Sequence, residues 1–187
     1  KNSPKFLDHF HIPLQSGDDE ILTNMRRKYT VEDYKKVINK IITAFPNAGI
    51  GADMICGFPG ETPEQFKNTY NLAKELPLTH FHVFPYSKRK GTTASKMDNH
   101  IHNATKKERV NSLIHLGEAK LAMFSEDQVG TQNSVLFERR SKEGYYTGYT
   151  SNYVKVFVET KEELRNQVRQ VYLKEYKNGK LFAELIQ

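Results

Sequence analysis

The sequence predicts an α/β layer built on parallel strands and, after it, a small all-β antiparallel barrel. Over the first two-thirds of the 187 residues, short apolar runs alternate with segments of helical period, the spacing of βαβ units with right-handed crossovers. After Gly130 the apolar period drops to 2, and five short strand candidates follow with no helix between them. A chain of this length accommodates one mid-sized domain with a small appendage. The change of period sets the expected boundary, with residues 1–127 in the α/β part and 128–187 in the barrel.

Each element has its own signal. The first strand is HFHIPL, residues 9–14, stopped by Ser16-Gly17. Asp18, Asp19 and Glu20 then set carboxylates at a helix N-terminus, where the helix dipole favours them, and Arg26, Arg27 and Lys28 lie at the far end. A second helix opens at Thr30, with Asp33 three residues on as a capping box. It carries Val31, Tyr34, Val37, Ile38, Ile41, Ile42 and Phe45 as a stripe of period 3.6 and ends at Pro46-Asn47. Residues 50–56 make the second strand, followed by the turn GFPGE, in which Glu61 is placed to cap the next helix. Thr62-Pro63 begin that helix, with proline in the first turn, where its missing N–H costs nothing, and Phe66, Tyr70, Ala73 and Leu76 are its expected buried face. Residues 80–84 make the third strand, and the basic loop PYSKRKGT follows. A long helix over about 105–126 completes the layer through Val110, Leu113, Ile114, Leu116, Leu121 and Phe124. In the tail, strands are expected at 135–137, 145–149, 154–158, 168–173 and 181–186, with turns at Glu143-Gly144 and Asn178-Gly179. An Asn-Gly pair between two alternating runs is a strong hairpin signal.

Composition excludes several classes. Charged residues at 27% and aromatics at 11% belong to a folded chain, not a disordered one. No apolar run nears the roughly 20 residues of a membrane-spanning helix. The opening KNSPKFLDHF has neither an initiator Met nor a signal-like apolar core, so a processed or excised cytoplasmic chain is expected. A single cysteine excludes an intrachain disulfide and cannot build a cysteine-rich metal or iron–sulfur centre alone. The net charge of +6 is uneven: residues 1–85 balance, and residues 86–187 carry the whole excess. An anionic partner such as RNA or a merely solvated basic surface accounts for that equally well.

Three groups of residues could carry chemistry. Gln15, Arg27 and Asp53 fall on successive βα units, near the strand ends where α/β sheets bind ligands. An amide and a carboxylate can hold ribose hydroxyls and a guanidinium can pair with a carboxylate, while a purely structural hydrogen-bond network is the competing reading. The glycines of GFPGE permit close backbone approach, although such a turn alone is more often structural. In the basic half, Lys88, Arg89, Lys90, Arg139, Arg140, Tyr149, Asn152, Tyr153 and Lys155 interleave cations with aromatics, as phosphate contact and base stacking require. The pairs His9/His11, His80/His82 and His100/His102 are each two apart, but no Cys or carboxylate spacing completes a metal set, so packing or hydrogen bonding is expected and no metal site. Cys56, alone in an apolar strand, is expected to be inert.

HIPLQSGDDEILTNMRRKYT followed by DMICGFPGET resembles the second half of the radical S-adenosylmethionine core of the methylthiotransferases. FHVFPYSKRKGTTASKM resembles the last core strand and loop of that family, and the tail from about Gln128 through VLFE, GYTSNYVKV and LFAELI resembles a TRAM domain, an OB-like RNA-binding barrel. The resemblance implies the C-terminal half of a radical SAM partial barrel over 1–127 and a TRAM domain over 128–187. It implies that Gln15 and Asp53 face the ribose of S-adenosylmethionine, that Arg27, or Arg26 in its place, faces the methionine carboxylate, and that Gly57 and Phe58 form the turn near the adenine. HVFPYS and GYTxNY resemble most the branch that methylthiolates C2 of N6-threonylcarbamoyladenosine at position 37, in the tRNA anticodon loop. The isopentenyladenosine branch and the ribosomal-protein branch are near relatives. The family uses S-adenosylmethionine twice, as radical source and as methyl donor, with two [4Fe–4S] clusters. Its CxxxCxxC motif and the cysteines of its N-terminal domain have no counterpart here. The resemblance therefore implies a fragment, inactive by itself, partnered by the remaining domains of the same protein and by tRNA; a non-catalytic RNA-binding module is the alternative.

Overall fold

The computed structural model describes residues 6–186. Their contacts form two compact units, one of residues 10–46 and 50–120, the other of residues 6–9, 47–49 and 121–186. The strands and helices run β1 (His9–His11), α1 (Asp19–Asn24), α2 (Val31–Ala44), β2 (Gly49–Cys56), α3 (Pro63–Glu75), β3 (His80–Pro85), a single 3-10 turn at Ala94–Lys96 and α4 (Asn103–Glu126). The barrel strands follow as β4 (Gln132–Arg140), β5 (Tyr146–Thr150), β6 (Lys155–Val158), β7 (Val168–Lys177) and β8 (Lys180–Leu185).

In the α/β unit the sheet order is β1-β2-β3, and β2 and β3 are parallel in a register that sets Gly51 beside His80 and Asp53 beside His82. β1 is shorter than the apolar run that predicts it. Pro13 has no N–H to give the ladder, and the N–H groups of Leu14 and Gln15 both converge on the Asp53 carbonyl, at 3.1 and 2.8 Å. Gln15 therefore takes a left-handed backbone, φ 64°, and rejoins the sheet through a parallel bridge to Met54. One face of β2 (Ile50, Ala52, Met54 and Cys56) is buried with Leu14, Ile21, Leu22, Ile38 and Leu72, the near-continuous apolar character of a covered parallel strand.

The helix ends follow the capping chemistry in the sequence. Asp18 caps α1 by accepting from the N–H groups of Glu20 and Ile21, and Thr30 with Asp33 and Thr62 with Gln65 close reciprocal boxes at α2 and α3. Of the face expected for α3, Ala73 and Leu76 are buried, whereas Phe66 and Tyr70 are half-exposed and Thr69 and Leu72 take the inner positions. The cause is polar: the Thr69 hydroxyl lies 3.3 Å from the Ser16 hydroxyl and accepts from the Gly17 N–H at 2.9 Å, so that side of the helix must face the chain after β1. Val37 and Ile114, expected inside, are exposed.

The five barrel strands close in the order β4-β5-β6-β8-β7. Val135, Phe137, Tyr146, Val154, Val156, Val158, Leu164, Val171, Leu173, Leu181 and Ala183 fill it. β7 and β8 pair up to Lys177 and Lys180, and Asn178 and Gly179 both take positive φ, 52° and 74°, the two-residue hairpin the Asn-Gly pair encodes. The barrel is not wholly antiparallel as expected, because β6 and β8 run parallel. The reason is parity: a closed ring with an odd number of strands cannot alternate direction at every pair, so one parallel pair is unavoidable.

Candidate functional site

Two adjoining clefts open at the carboxyl ends of the sheet strands, where the crossovers of an α/β sheet leave room for a ligand. The larger, about 510 Å³, is lined by Gln15, Asp53, Ile55, Phe84, Pro85, Tyr86, Ser87, Arg89, Thr92 and Ala94. The smaller, about 270 Å³, is lined by Asn24, Met25, Arg26, Arg27, Ile55, Phe58, Tyr86, Thr92, Thr93 and Ala94. Ile55, Tyr86, Thr92 and Ala94 belong to both. Gln15, Asp53, Arg27, Arg26 and Phe58 are thus brought together on one continuous wall. Gln15 and Arg26 both hold left-handed backbones, φ 64° and 58°, a conformation that costs a non-glycine residue about 1 kcal/mol or more and concentrates at binding sites.

Gly57 lines neither cleft. Its N–H donates at 2.7 Å to Glu61 Oε2, and Glu61, expected to cap α3, is instead buried at 2% exposure. Arg109 of α4 donates to the same carboxylate oxygen at 2.5 Å and to the Glu61 carbonyl at 3.0 Å. Burial pushes the Glu61 carboxyl above its ordinary value, opposed by the Gly57 N–H and the Arg109 guanidinium. GFPGE is therefore a braced turn whose glycine amide points inward. Burial also pushes the Cys56 thiol up to about 12.

Tyr86 is the functional candidate that the sequence reading passed over. It lines both clefts, meets Phe58 edge-on at 5.4 Å between ring centres, and its buried hydroxyl has no hydrogen-bond partner among the described residues. Its place at the head of the loop PYSKRKGT, within the segment that carries the family resemblance, was the available signal. A second omission lies on the sheet. The register of β2 and β3 and the position of β1 put the His11 Nε2 2.9 Å, and the His82 Nδ1 3.2 Å, from Asp53 Oδ1. The carboxylate that the histidine spacing alone does not supply is Asp53, and these three side chains converge.

The basic residues divide. Lys88, Arg89 and Lys90 sit exposed in the loop after β3, with Arg89 on the larger cleft. In the barrel unit Arg139 and Lys155 are exposed, with the Lys155 ammonium 5.5 Å from the Phe157 ring centre. Tyr153 stacks between His9 and Tyr149, at 4.4 and 4.7 Å between ring centres. Arg140 and Asn152 have other work. The Arg140 guanidinium donates to the carbonyls of Gly144, Thr160 and Glu162 and lies over Tyr146, so it braces the β4–β5 turn. Asn152, buried at 2% exposure, donates to the Asn47 carbonyl and the Gln128 amide oxygen and takes the Thr150 hydroxyl proton at 2.6 Å.

The fold has a solved counterpart. Coproporphyrinogen III oxidase (HemN) from Escherichia coli, titled a radical SAM enzyme, superposes with a TM-score of 0.52 over 94% of this chain and 45% of that one, at 14% identity. The Radical SAM superfamily profile matches residues 1–73. More particularly, the chain is 39% identical over 176 residues to the threonylcarbamoyladenosine tRNA methylthiotransferase MtaB of Bacillus subtilis, covering 90% of this chain and 38% of the relative. It is 36% identical over 189 residues to the tRNA-2-methylthio-N(6)-dimethylallyladenosine synthase of Lachnoclostridium phytofermentans, covering 100% and 41%. The enzyme of that name from Coxiella burnetii is 37% identical over 184 residues, covering 97% and 42%. The chain fits a fragment of a radical SAM methylthiotransferase, and spans about two-fifths of the length of the curated relatives it matches.

Proposed function

We propose that this chain is part of a tRNA methylthiotransferase that acts at C2 of N6-threonylcarbamoyladenosine-37, and that its own share is to hold S-adenosylmethionine and to present tRNA. One observation carries the reading: Gln15 and Asp53 line one cleft at the strand ends and Arg27 and Phe58 line the cleft adjoining it, the two sharing Ile55, Tyr86, Thr92 and Ala94, in a chain that aligns over 90–100% of its length with tRNA methylthiotransferases. The Gln15 amide and the Asp53 carboxylate suit ribose hydroxyls, the Arg27 guanidinium suits the methionine carboxylate, and Phe58 with Tyr86 offers an apolar, aromatic wall to the adenine. The two adjoining clefts together suit the cofactor's nucleoside and amino-acid ends. When bound, S-adenosylmethionine supplies the radical and methyl chemistry.

The chain's residues do not fit a cubane cluster. Its one cysteine is buried and keeps its proton to about 12, whereas a cluster needs several thiolates. Cluster binding, and with it turnover, falls to other parts of the protein, and this chain by itself is inactive in our reading. The barrel, from residue 128 on, reads as a TRAM-type RNA-binding domain, supported by its closed five-strand ring and by the exposed Arg139 and Lys155 near the stacked His9, Tyr153 and Tyr149. The decisive experiment deletes the gene in its host and measures digested tRNA by mass spectrometry. Loss of 2-methylthio-N6-threonylcarbamoyladenosine, restored by the parent gene and not by an Arg27→Ala, Asp53→Asn double variant, is the expected result. Persistence of that nucleoside in the deletion strain overturns the assignment, and loss of the isopentenyl counterpart moves it to the neighbouring branch.

A further inference from the structure

We propose that His11, Asp53 and His82 form a binding site for one divalent transition-metal cation of the zinc class. This goes beyond the proposed cofactor cleft, since neither histidine belongs to it. Three features of the sheet carry it. The β2–β3 register makes Asp53 and His82 direct neighbours, so both side chains leave the same face of the sheet. Across β2, His11 arrives at that face over Gly51, where a Cβ would stand 2.8 Å from His11 Nδ1; only a glycine leaves the imidazole its place. The two imidazole rings then lie 5.1 Å apart, tilted by 32°, with the carboxylate between them.

The donor set and distances match the ion. Two imidazoles and one carboxylate are a common open zinc site, with three protein ligands and a further position for water or an anionic group. Bonds of about 2.0–2.2 Å in a tetrahedron place ligand atoms about 3.3–3.6 Å apart. The ligand atoms here stand 2.9 and 3.2 Å apart across the two imidazole–carboxylate edges, and all three lie within 4.8 Å of one another. The His11 and His82 side chains are 37% and 55% exposed, so each can move the few tenths of an ångström that ligation asks. Because Asp53 also lines the larger cleft, the ion would stand in its wall.

The test uses the full 187-residue chain, without S-adenosylmethionine, so it is independent of the cofactor reading. Cobalt(II) chloride is titrated in and the visible ligand-field bands followed, then zinc chloride is added in competition, with calorimetry giving the stoichiometry. One ion per chain is expected, with bands displaced by zinc. His11→Ala and His82→Ala should each weaken binding by at least about tenfold, and Gly51→Ala, which pushes the imidazole aside, should do likewise, with far-ultraviolet circular dichroism unchanged. Absence of cobalt bands in the parent chain, or bands and affinity that survive both histidine substitutions, overturns the proposal.

Discussion

Arg109→Met removes one member of the buried pair that braces GFPGE, and its cost follows from the contacts. The Arg109 side chain is 7% exposed and the Glu61 side chain 1%. Lost are a charge-assisted hydrogen bond at 2.5 Å, a bond to the Glu61 carbonyl at 3.0 Å, and a guanidinium 5.3 Å over the Phe66 ring. At about 1.5–3 kcal/mol for the first and about 0.5–1 kcal/mol for each of the others, the loss is about 2.5–5 kcal/mol, close to the range for breaking a buried pair from one side. The pH dependence has a definite sign. Burial already raises the Glu61 carboxyl above its unfolded value, so the stability of the folded, protonated form falls away as pH rises through the folded value. Without the guanidinium that opposes this, the carboxyl rises further, so the destabilisation should be smaller at pH 5 than at pH 8. Urea unfolding followed by circular dichroism at both pH values measures it, and a Glu61→Gln, Arg109→Met double variant should recover much of the loss. A loss under about 1 kcal/mol at pH 8, or an equal loss at both pH values, refutes the reasoning.

Three further outcomes are expected. Cys56 in the folded chain should react with a thiol reagent at pH 8 about a thousandfold more slowly than in urea, because its thiol keeps its proton to about 12; equal rates would remove the buried-thiol account. Gln15→Gly relieves a left-handed backbone, so stability should hold or rise by about 0.5–1 kcal/mol while S-adenosylmethionine binding by the intact enzyme weakens; lower stability would show that the amide is structural. Binding of tRNA by this chain should drop about 50–150-fold between 50 and 200 mM salt if some four cations meet phosphates, and a flat salt response would exclude the exposed basic residues as contacts.

Much of this was legible in the residues. The capping box at Thr30, the helix start at Thr62-Pro63 and the Asn178-Gly179 turn are local chemistry, decided within four residues, and they form as the sequence predicts. What the sequence could not supply is pairing across distance. The polar pin between Thr69 and Gly17 draws Thr69 inward while Phe66 and Tyr70 stay half-exposed, and nothing near Thr69 announces it. The convergence of His11, Asp53 and His82 depends on strand register, which one sequence leaves open. Arg140 and Asn152 resemble ligand contacts by type alone, and only the fold reveals that backbone carbonyls and a neighbouring amide already claim them. The cofactor cleft was more accessible, because Gln15, Arg27 and Asp53 occupy strand ends and turns, positions that βαβ topology brings to one side without fine register.

The parallel seam between β6 and β8 has a consequence for how the barrel is made. β4, β5 and β6 form a meander of neighbours in sequence, whereas β7 and β8 form a separate hairpin. Each piece can assemble locally, a hairpin in about 1–10 μs, but each leaves two raw edges. Closure joins β7 to β4 and β8 to β6, and either seam alone leaves the other edge pair bare. During synthesis the meander emerges first and must wait, edges exposed, until β8 has left the ribosome. The barrel therefore shuts like a clasp, in one late event, and the interval before it is when the nascent chain most needs protection from pairing with its neighbours.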